Sequence, residues 1–261
     1  MTLLAVEARR DLARWAIRLL ILLALAGIVF GMVVALLASD ESDPLSFPDI
    51  WSTDGSGDSA LLVGSFFLPV GALFGGATVI GGEWKAGTMA TLLTWEPRRV
   101  RVAVAKLGVA GVLAFLIGLV LLALFAAAFL PAIFVGGETE GADAEFWRGA
   151  TGGMLRIATI ASLAAVIGAS LAFIGRNTAL AVGATFLWVA VVEGVIRALK
   201  PDWQRWLLGE NLAVFSTGAK LETETFDKSV LGAGLTLALY ALVVAVIAVE
   251  TFRRRDLTGA T

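Results

Sequence analysis

The chain has 261 residues, of which 58% are hydrophobic and 16% are charged, and its mean hydropathy is +0.87. A soluble domain carries about one-quarter charged residues, so this composition favours the lipid bilayer as the environment of the protein. The sequence contains neither Cys nor His, which excludes disulfides, thiol chemistry, Cys/His zinc sites and Ser-His-Asp triads. The net charge of −2 provides no basic field for nucleic acid, so nucleic-acid binding is not expected.

The first predicted element is a short amphipathic helix ahead of the first span. Apolar and charged positions recur on opposite sides at helical spacing: Leu4, Ala8, Leu12 and Trp15 against Glu7, Arg10 and Arg14. Arginines at this density would enter hydrocarbon only at high cost. We therefore expect an interfacial helix on the inner side, with basic residues facing anionic lipid headgroups. The alternative is the frayed start of the first span.

Six apolar runs are long enough to cross about 30 Å of hydrocarbon as helices. They predict a single transmembrane domain, 1–261, with spans at approximately 17–39, 59–82, 104–131, 154–175, 177–197 and 229–250. Pro131 is expected to end the third helix, because proline lacks the N–H that continues helical hydrogen bonding. The pairs Gly27/Gly31 and Gly71/Gly75 have the spacing that lets membrane helices approach closely.

The loop charges orient these spans. The N-terminal segment, the second and fourth loops and the C-terminal segment hold 13 of the 20 Lys and Arg residues. The first outer loop carries six acidic residues between Asp40 and Asp58 and no cation. Because cation-rich segments stay in the cytoplasm, both termini are predicted to be cytoplasmic.

The loop between the fifth and sixth spans, from about Arg197 to Lys228, mixes apolar residues, charged residues and two tryptophans. This pattern predicts a helix or re-entrant hairpin at the outer interface, and an ordinary ordered loop is the alternative. Near the start of this loop, Glu193 and Arg197 are spaced at i, i+4 and could pair. Glu193 could instead contact a substrate.

The spans offer no groups for catalysis. Their middles carry no ionisable residue, and no G-x-x-x-x-G-K-[ST] phosphate-binding loop occurs anywhere in the sequence. We therefore expect no catalytic residue, no bound cofactor and no metal site in this chain. Any energy source should reside in another polypeptide.

The most informative segment is the inner loop between the second and third spans, from Glu83 to Lys106. It predicts a short cytoplasmic helix that Pro97 ends. The apolar positions share one helical face: Trp84, Met89, Leu92 and Leu93. Such a face needs a cover, which either the membrane surface or a partner protein supplies.

At these residues the sequence resembles the ABC-2 family of ABC-transporter permeases. The family pattern is a Glu, three residues, Gly-Thr-Leu, a Leu pair, a Pro, an Arg, and a Lys at the start of the third span. The matching positions, with Met in place of the first Leu, are Glu83, Gly87, Thr88, Met89, Leu92, Leu93, Arg99 and Lys106. Pro97 falls about one residue late, and Ala90 stands where an acidic residue is frequent.

The resemblance implies that 83–94 forms a coupling helix, which docks in a groove of a separate ATP-binding subunit that carries ATP and Mg. The implied coupling residues are Glu83, Trp84, Gly87, Thr88, Met89, Leu92, Leu93, Pro97, Arg98, Arg99 and Lys106. It also implies a second permease chain, identical or different, with a pathway between spans two and five of the two copies. The possible pathway residues are Phe66, Phe67, Phe74, Phe186, Trp188 and Glu193. Contact with membrane lipids or interhelical packing is the alternative role for these aromatics.

The function implied by this resemblance is the membrane-spanning permease subunit of a bacterial ABC exporter in the inner cell membrane. The absence of buried charge favours an apolar or amphipathic substrate. The alternative is a scaffold protein that docks a cytosolic partner without transport. A membrane-embedded enzyme is disfavoured, because the spans lack ionisable groups at depth.

The predicted topology can be tested directly, because the natural chain has no cysteine. Thr2→Cys and Thr261→Cys proteins should react with an impermeant maleimide only after the membrane is permeabilised, since both termini are predicted to be cytoplasmic. An Asp54→Cys protein is the control and should react in intact cells. Labelling of either terminus in intact cells would contradict the orientation.

Overall fold

The computed structural model describes residues 3–38, 46–51, 60–136, 143–218, 221–223 and 226–254. The helices in chain order are α1 Leu3–Leu12, α2 Trp15–Ala38, α3 Phe47–Trp51, α4 Ala60–Lys85, α5 Thr88–Trp95, α6 Arg99–Gly136, α7 Ala144–Gly175, α8 Thr178–Leu187, α9 Glu193–Leu199, α10 Leu208–Thr217 and α11 Val230–Arg254. A π-helical turn, Trp188–Val192, joins α8 to α9, and a 3₁₀ helix, Pro201–Trp206, precedes α10. Strands β1 (Leu221–Thr223) and β2 (Phe226–Lys228) form an antiparallel hairpin in which Leu221 pairs with Lys228.

The chain is an all-α membrane protein with six transmembrane helices, as the hydropathy pattern predicts. The spans are α2, α4, α6, α7, the continuous run of α8 and α9, and α11. The fourth span begins earlier than expected, because the Asp143 side chain caps α7 by accepting a hydrogen bond from Phe146 N at 2.7 Å.

The expected end of the third helix at Pro131 is wrong, since α6 continues through this residue to Gly136. Proline removes one backbone hydrogen bond. A long membrane helix tolerates that loss where local adjustments and neighbouring groups satisfy the freed carbonyl.

The two ends of the described chain lie at the same end of the bundle. Arg14, just after α1, contacts Glu83 at the end of α4. Near the end of α11, Phe252 packs on Trp84, also from the end of α4, with ring centroids 6.1 Å apart. We call this the α5 end and the opposite one the α10 end. An even number of crossings follows from this arrangement.

The closest helix crossing joins α4 to α7. An ideal Cβ on Gly76 would lie 2.1 Å from the carbonyl oxygen of Ala165, and one on Gly168 would lie 2.2 Å from that of Leu73. The two backbones are therefore in direct contact, which in lipid supplies the packing that holds helices together.

The glycine pairs identified from spacing do not make this crossing. A Cβ on Gly27 or Gly71 would meet no atom within 4 Å, and one on Gly31 or Gly75 would meet only side-chain atoms at 3.4 Å or more. Close packing at this crossing thus depends on Gly76 and Gly168, outside the predicted pairs.

The loop between the fifth and sixth spans is built from the 3₁₀ helix, α10 and the hairpin. The Phe215 ring of α10 packs against Gly234 of α11. The Tyr240 hydroxyl of α11 donates a hydrogen bond to the Trp206 carbonyl at 2.9 Å. Trp203 and Trp206 are exposed. The helix expected here is present, and its position at the outer interface stays a prediction.

The loop between the first and second spans contains α3, a helix that the sequence pattern does not predict. Its Phe47 and Trp51 rings pack on Trp147 of α7, with centroids 5.5 and 5.0 Å away. The acidic residues of this loop other than Asp49 lie outside the described residues.

Substitution at the α4–α7 crossing provides a stability test. Gly76→Ala should lower the thermal unfolding temperature of the purified chain, because its methyl group overlaps the Ala165 carbonyl and overpacking costs about 1–3 kcal/mol. Gly71→Ala in the same helix is the matched control. It should be neutral or slightly stabilising, since alanine is the better helix former and the site is open. Equal effects of the two changes would contradict the crossing.

Candidate functional site

A buried group of charged side chains joins α1, α4 and α6 at the α5 end. Lys106 of α6 is fully buried, and its Nζ lies 2.8 Å from Oε2 of Glu7 and 2.9 Å from the carboxylate of Glu83. Asp11, one turn after Glu7, is also buried. Two carboxylates therefore pair with one buried ammonium group, and a third, that of Asp11, has an oxygen within 4.8 Å of theirs.

Two arginines complete the charge balance. Arg14 Nη2 lies 2.6 Å from Oε1 of Glu83, and its Nε lies 3.3 Å from Oδ1 of Asp11. Arg10 pairs with Glu7 at 2.9 Å and also with Glu83. We call these six residues the charge cluster: Glu7, Arg10, Asp11, Arg14, Glu83 and Lys106. With three cations and three carboxylates, it is formally neutral, which is the condition under which buried charges are tolerated.

The three carboxylates alone have oxygens within 4.8 Å of one another, a spacing that a metal ion could use. Three cationic side chains already neutralise them, so the donor set favours an ion-pair network over a metal centre. Burial raises the pKa of the Asp11 carboxyl above its usual range, although Arg14 and Lys106 act to lower it.

The charge cluster changes the interpretation of α1. Its Leu4, Val6 and Leu12 side chains are exposed, as a helix at a membrane surface requires. Arg10 and Arg14 were expected to face lipid headgroups, but they turn inward to Glu83. The basic residues are drawn inward because a buried carboxylate needs compensating charge.

The short helix α5 follows directly from the charge cluster. Gly87 begins it with a left-handed backbone, φ 68°, a conformation that glycine adopts without strain. Met89 is buried in the apolar cluster that also contains Ile80 of α4 and Ala103 of α6. The opposite side of α5 is open, and Trp95 at its end is 85% exposed.

The predicted coupling residues therefore divide into an inner and an outer set. Three are buried: Glu83, Met89 and Lys106. Four are partly buried: Trp84, Leu92, Leu93 and Arg99. Four are exposed: Gly87, Thr88, Pro97 and Arg98. The apolar face of α5 is covered largely by the chain itself, so the buried residues are not available for contact with another protein.

Several residues of this site were not identified from the sequence. The sequence pattern places Glu7, Arg10 and Arg14 on the polar face of an interfacial helix and gives no role to Asp11 or Trp95. The available signal is the spacing of Glu7 and Asp11, which places two acids on one face of α1. Nothing in the local sequence identifies Glu83 and Lys106 as their partners.

A second feature is a groove between α4 and α8, with a volume of about 1410 Å³. Three of the predicted pathway residues line it: Phe66, Phe74 and Phe186. Phe67 and Trp188 do not line this groove. The Phe67 ring packs edge-to-face on Phe66, with centroids 5.4 Å apart. Three valines that are not among the predicted pathway residues also line the groove: Val70, Val182 and Val189.

Glu193 lies away from this groove and has a structural role at the α10 end. Its buried carboxylate accepts hydrogen bonds from Leu208 N at 2.6 Å, Gly209 N at 2.9 Å and Trp188 Nε1 at 3.2 Å. It thus caps the start of α10, where helix N–H groups lack partners. The expected pairing with Arg197 is wrong, because Arg197 binds Glu210 instead, at 2.7 Å.

Removal of the central cation tests the charge cluster. Lys106→Met should destabilise the chain strongly, since breaking a buried ion pair by deleting one partner costs about 3–5 kcal/mol. Adding Glu7→Gln restores the charge balance and should recover part of the loss in thermal unfolding temperature. Arg101→Met, which removes an exposed pair with Glu96, is the control and should have little effect. A Lys106→Met protein as stable as this control would contradict the structural role of the cluster.

The comparison with protein families matches residues 12–192 to the family described as ABC-2 family transporter protein. The match covers the first four spans and most of the fifth, and it includes the segment from Glu83 to Lys106. No curated protein matches the chain. The matched range is more than half of the sequence, and six membrane helices with a short helix between the second and third are the arrangement expected from the resemblance. The chain therefore belongs to the ABC-2 family of transporter proteins.

Proposed function

We propose that this chain is the permease subunit of a bacterial ABC exporter, coupled through α5 to a separate ATP-binding subunit. The observation that supports this proposal best is the attachment of α5 to two spans at once. Glu83 at the end of α4 and Lys106 near the start of α6 are paired, and Met89 of α5 packs between these helices. A force on α5 is therefore transmitted to both spans together.

The surface offered to the ATP-binding subunit is the open face of α5. It consists of Thr91, Thr94, Trp95 and Arg98, which we call the docking surface. Thr91, Thr94 and Trp95 are spaced at i, i+3 and i+4, so they share one side of the helix. A large exposed aromatic next to a cation has the composition of an interface hot spot, and Arg98 suits an acidic groove.

The transport pathway in this proposal runs along the groove between α4 and α8. Phe66, Phe74 and Phe186 present aromatic surface there, and a second permease chain, identical or different, closes the open side. The substrate is apolar or amphipathic and moves outward. ATP and Mg are bound by the partner subunit, and both termini face the cytoplasm of the bacterial cell.

The docking surface can be tested by coexpression with the ATP-binding subunit of the same transporter. Trp95→Asp should reduce copurification of that subunit at least tenfold, because about 1.4 kcal/mol of binding free energy already corresponds to tenfold. Trp203→Asp, which changes an exposed Trp at the α10 end, is the matched control and should copurify normally. Both proteins should keep their spans folded, since each changed side chain lies on the surface.

Three outcomes would count against parts of this proposal. Undiminished copurification and transport by the Trp95→Asp protein would remove α5 from the coupling role. ATP hydrolysis by the isolated chain would contradict the division of labour, because the sequence has no phosphate-binding loop. Docking without ATP-dependent movement of any substrate in vesicles would favour a scaffold protein.

A further inference from the structure

The groove between α4 and α8 has charge at one end only. Two of its lining side chains are charged, Lys85 and Arg176, and both are cations at the α5 end. Lys85 is the last residue of α4, and Arg176 follows the last residue of α7. The groove is therefore amphipathic along its length, basic at the α5 end and apolar beyond it.

Both cations are available to an anion. Arg176 is exposed, and its guanidinium carbon lies 4.9 Å from the centroid of the Trp84 ring, which holds the group over the groove. Within the described residues, neither Lys85 nor Arg176 pairs with a carboxylate. The N-terminus of α8, capped by Asn177, adds the positive end of a helix dipole beside them.

The part of the groove nearest the cations spans about the depth of one lipid leaflet, and the lining continues beyond it to Val70 and Phe66. Phe74 precedes Lys85 by eleven residues in α4, about 16 Å at 1.5 Å per residue. Half of a hydrocarbon core of about 30 Å is nearly the same length. From the cations to Phe74, the groove therefore offers one leaflet of apolar surface, continued on the facing helix by Val182 and Phe186.

We propose that this groove binds an anionic phospholipid, drawn from the leaflet at the α5 end. The headgroup phosphate lies between Lys85 and Arg176, and the acyl chains lie along Phe74 and Phe186. This inference assigns a substrate class to the pathway and so rests on the proposed function. Charge complementarity selects this occupant over a neutral lipid, because only an anion compensates the two cations.

The experiment measures lipid binding to the purified full chain without its ATP-binding partner. Phosphatidylglycerol with a fluorescent acyl chain should bind more tightly than phosphatidylcholine with the same acyl chains. Lys85→Gln and Arg176→Gln should each weaken phosphatidylglycerol binding about fivefold and leave phosphatidylcholine unchanged. Arg253→Gln, an exposed cation at the same end that does not line the groove, is the matched control and should bind as the natural chain does.

A second pair of variants tests the apolar part. Gly183 of α8 lines the groove, and a Cβ there meets no atom within 4 Å, so Gly183→Leu should fill the groove without disturbing the fold. This change should lower the binding of phosphatidylglycerol severalfold. Gly194→Leu is equally free of contacts but lies outside the lining residues, and it should have no effect.

Equal affinity for the two lipids, or full binding by the Lys85→Gln and Arg176→Gln proteins, would overturn the proposal. Displacement of the lipid by glycerol phosphate would also overturn it, since that result identifies a site for free anions. A second copy of the chain that occupies the groove and prevents phosphatidylglycerol from binding would also overturn the proposal. The chain could bind phosphatidylglycerol selectively and yet fail to copurify with an ATP-binding subunit. That result would count against the proposed function and leave the lipid site intact.

Discussion

The fully buried ammonium group of Lys106 is the constraint around which the α5 end is organised. A lysine inside a membrane protein is tolerated only with compensating charge, and here it is shared between Glu7 of α1 and Glu83 of α4. Those carboxylates in turn require Arg10 and Arg14, which fixes α1 against the bundle. Three helices that are distant in sequence therefore meet at one electrostatic centre, and α5 is held directly beside it.

The six spans could be predicted from the sequence, but the residues of the charge cluster could be predicted only in part. Each span is identified by its own composition, because a helix in lipid must satisfy its backbone internally and present apolar side chains. The burial of Glu83 depends instead on Arg10 and Lys106, which approach it only in the folded chain. No local periodicity contains that information, so the motif alone could not indicate which face of α5 remains open.

Two other differences between prediction and structure also arise from contacts between separate helices. Gly76 and Gly168 make the close crossing, while the regularly spaced Gly27 and Gly71 face open space, because the crossing point is set by two helices and not by spacing within one. Arg197 is a possible i, i+4 partner of Glu193, but in the structure the Glu193 carboxylate accepts hydrogen bonds from two backbone N–H groups at the start of α10. A carboxylate at a helix end takes the donors that otherwise lack partners.

The two walls of the groove, α4 and α8, are joined at the α5 end, where the Thr178 hydroxyl donates a hydrogen bond to the Ala77 carbonyl at 3.4 Å and Thr178 packs on Gly81. At the α10 end the same span continues into α9, where Glu193 caps α10. The π turn at Trp188–Val192 lies immediately before Glu193. Because the walls are joined at the α5 end, a tilt of α8 away from α4 would widen the groove most towards the π turn and least beside Thr178.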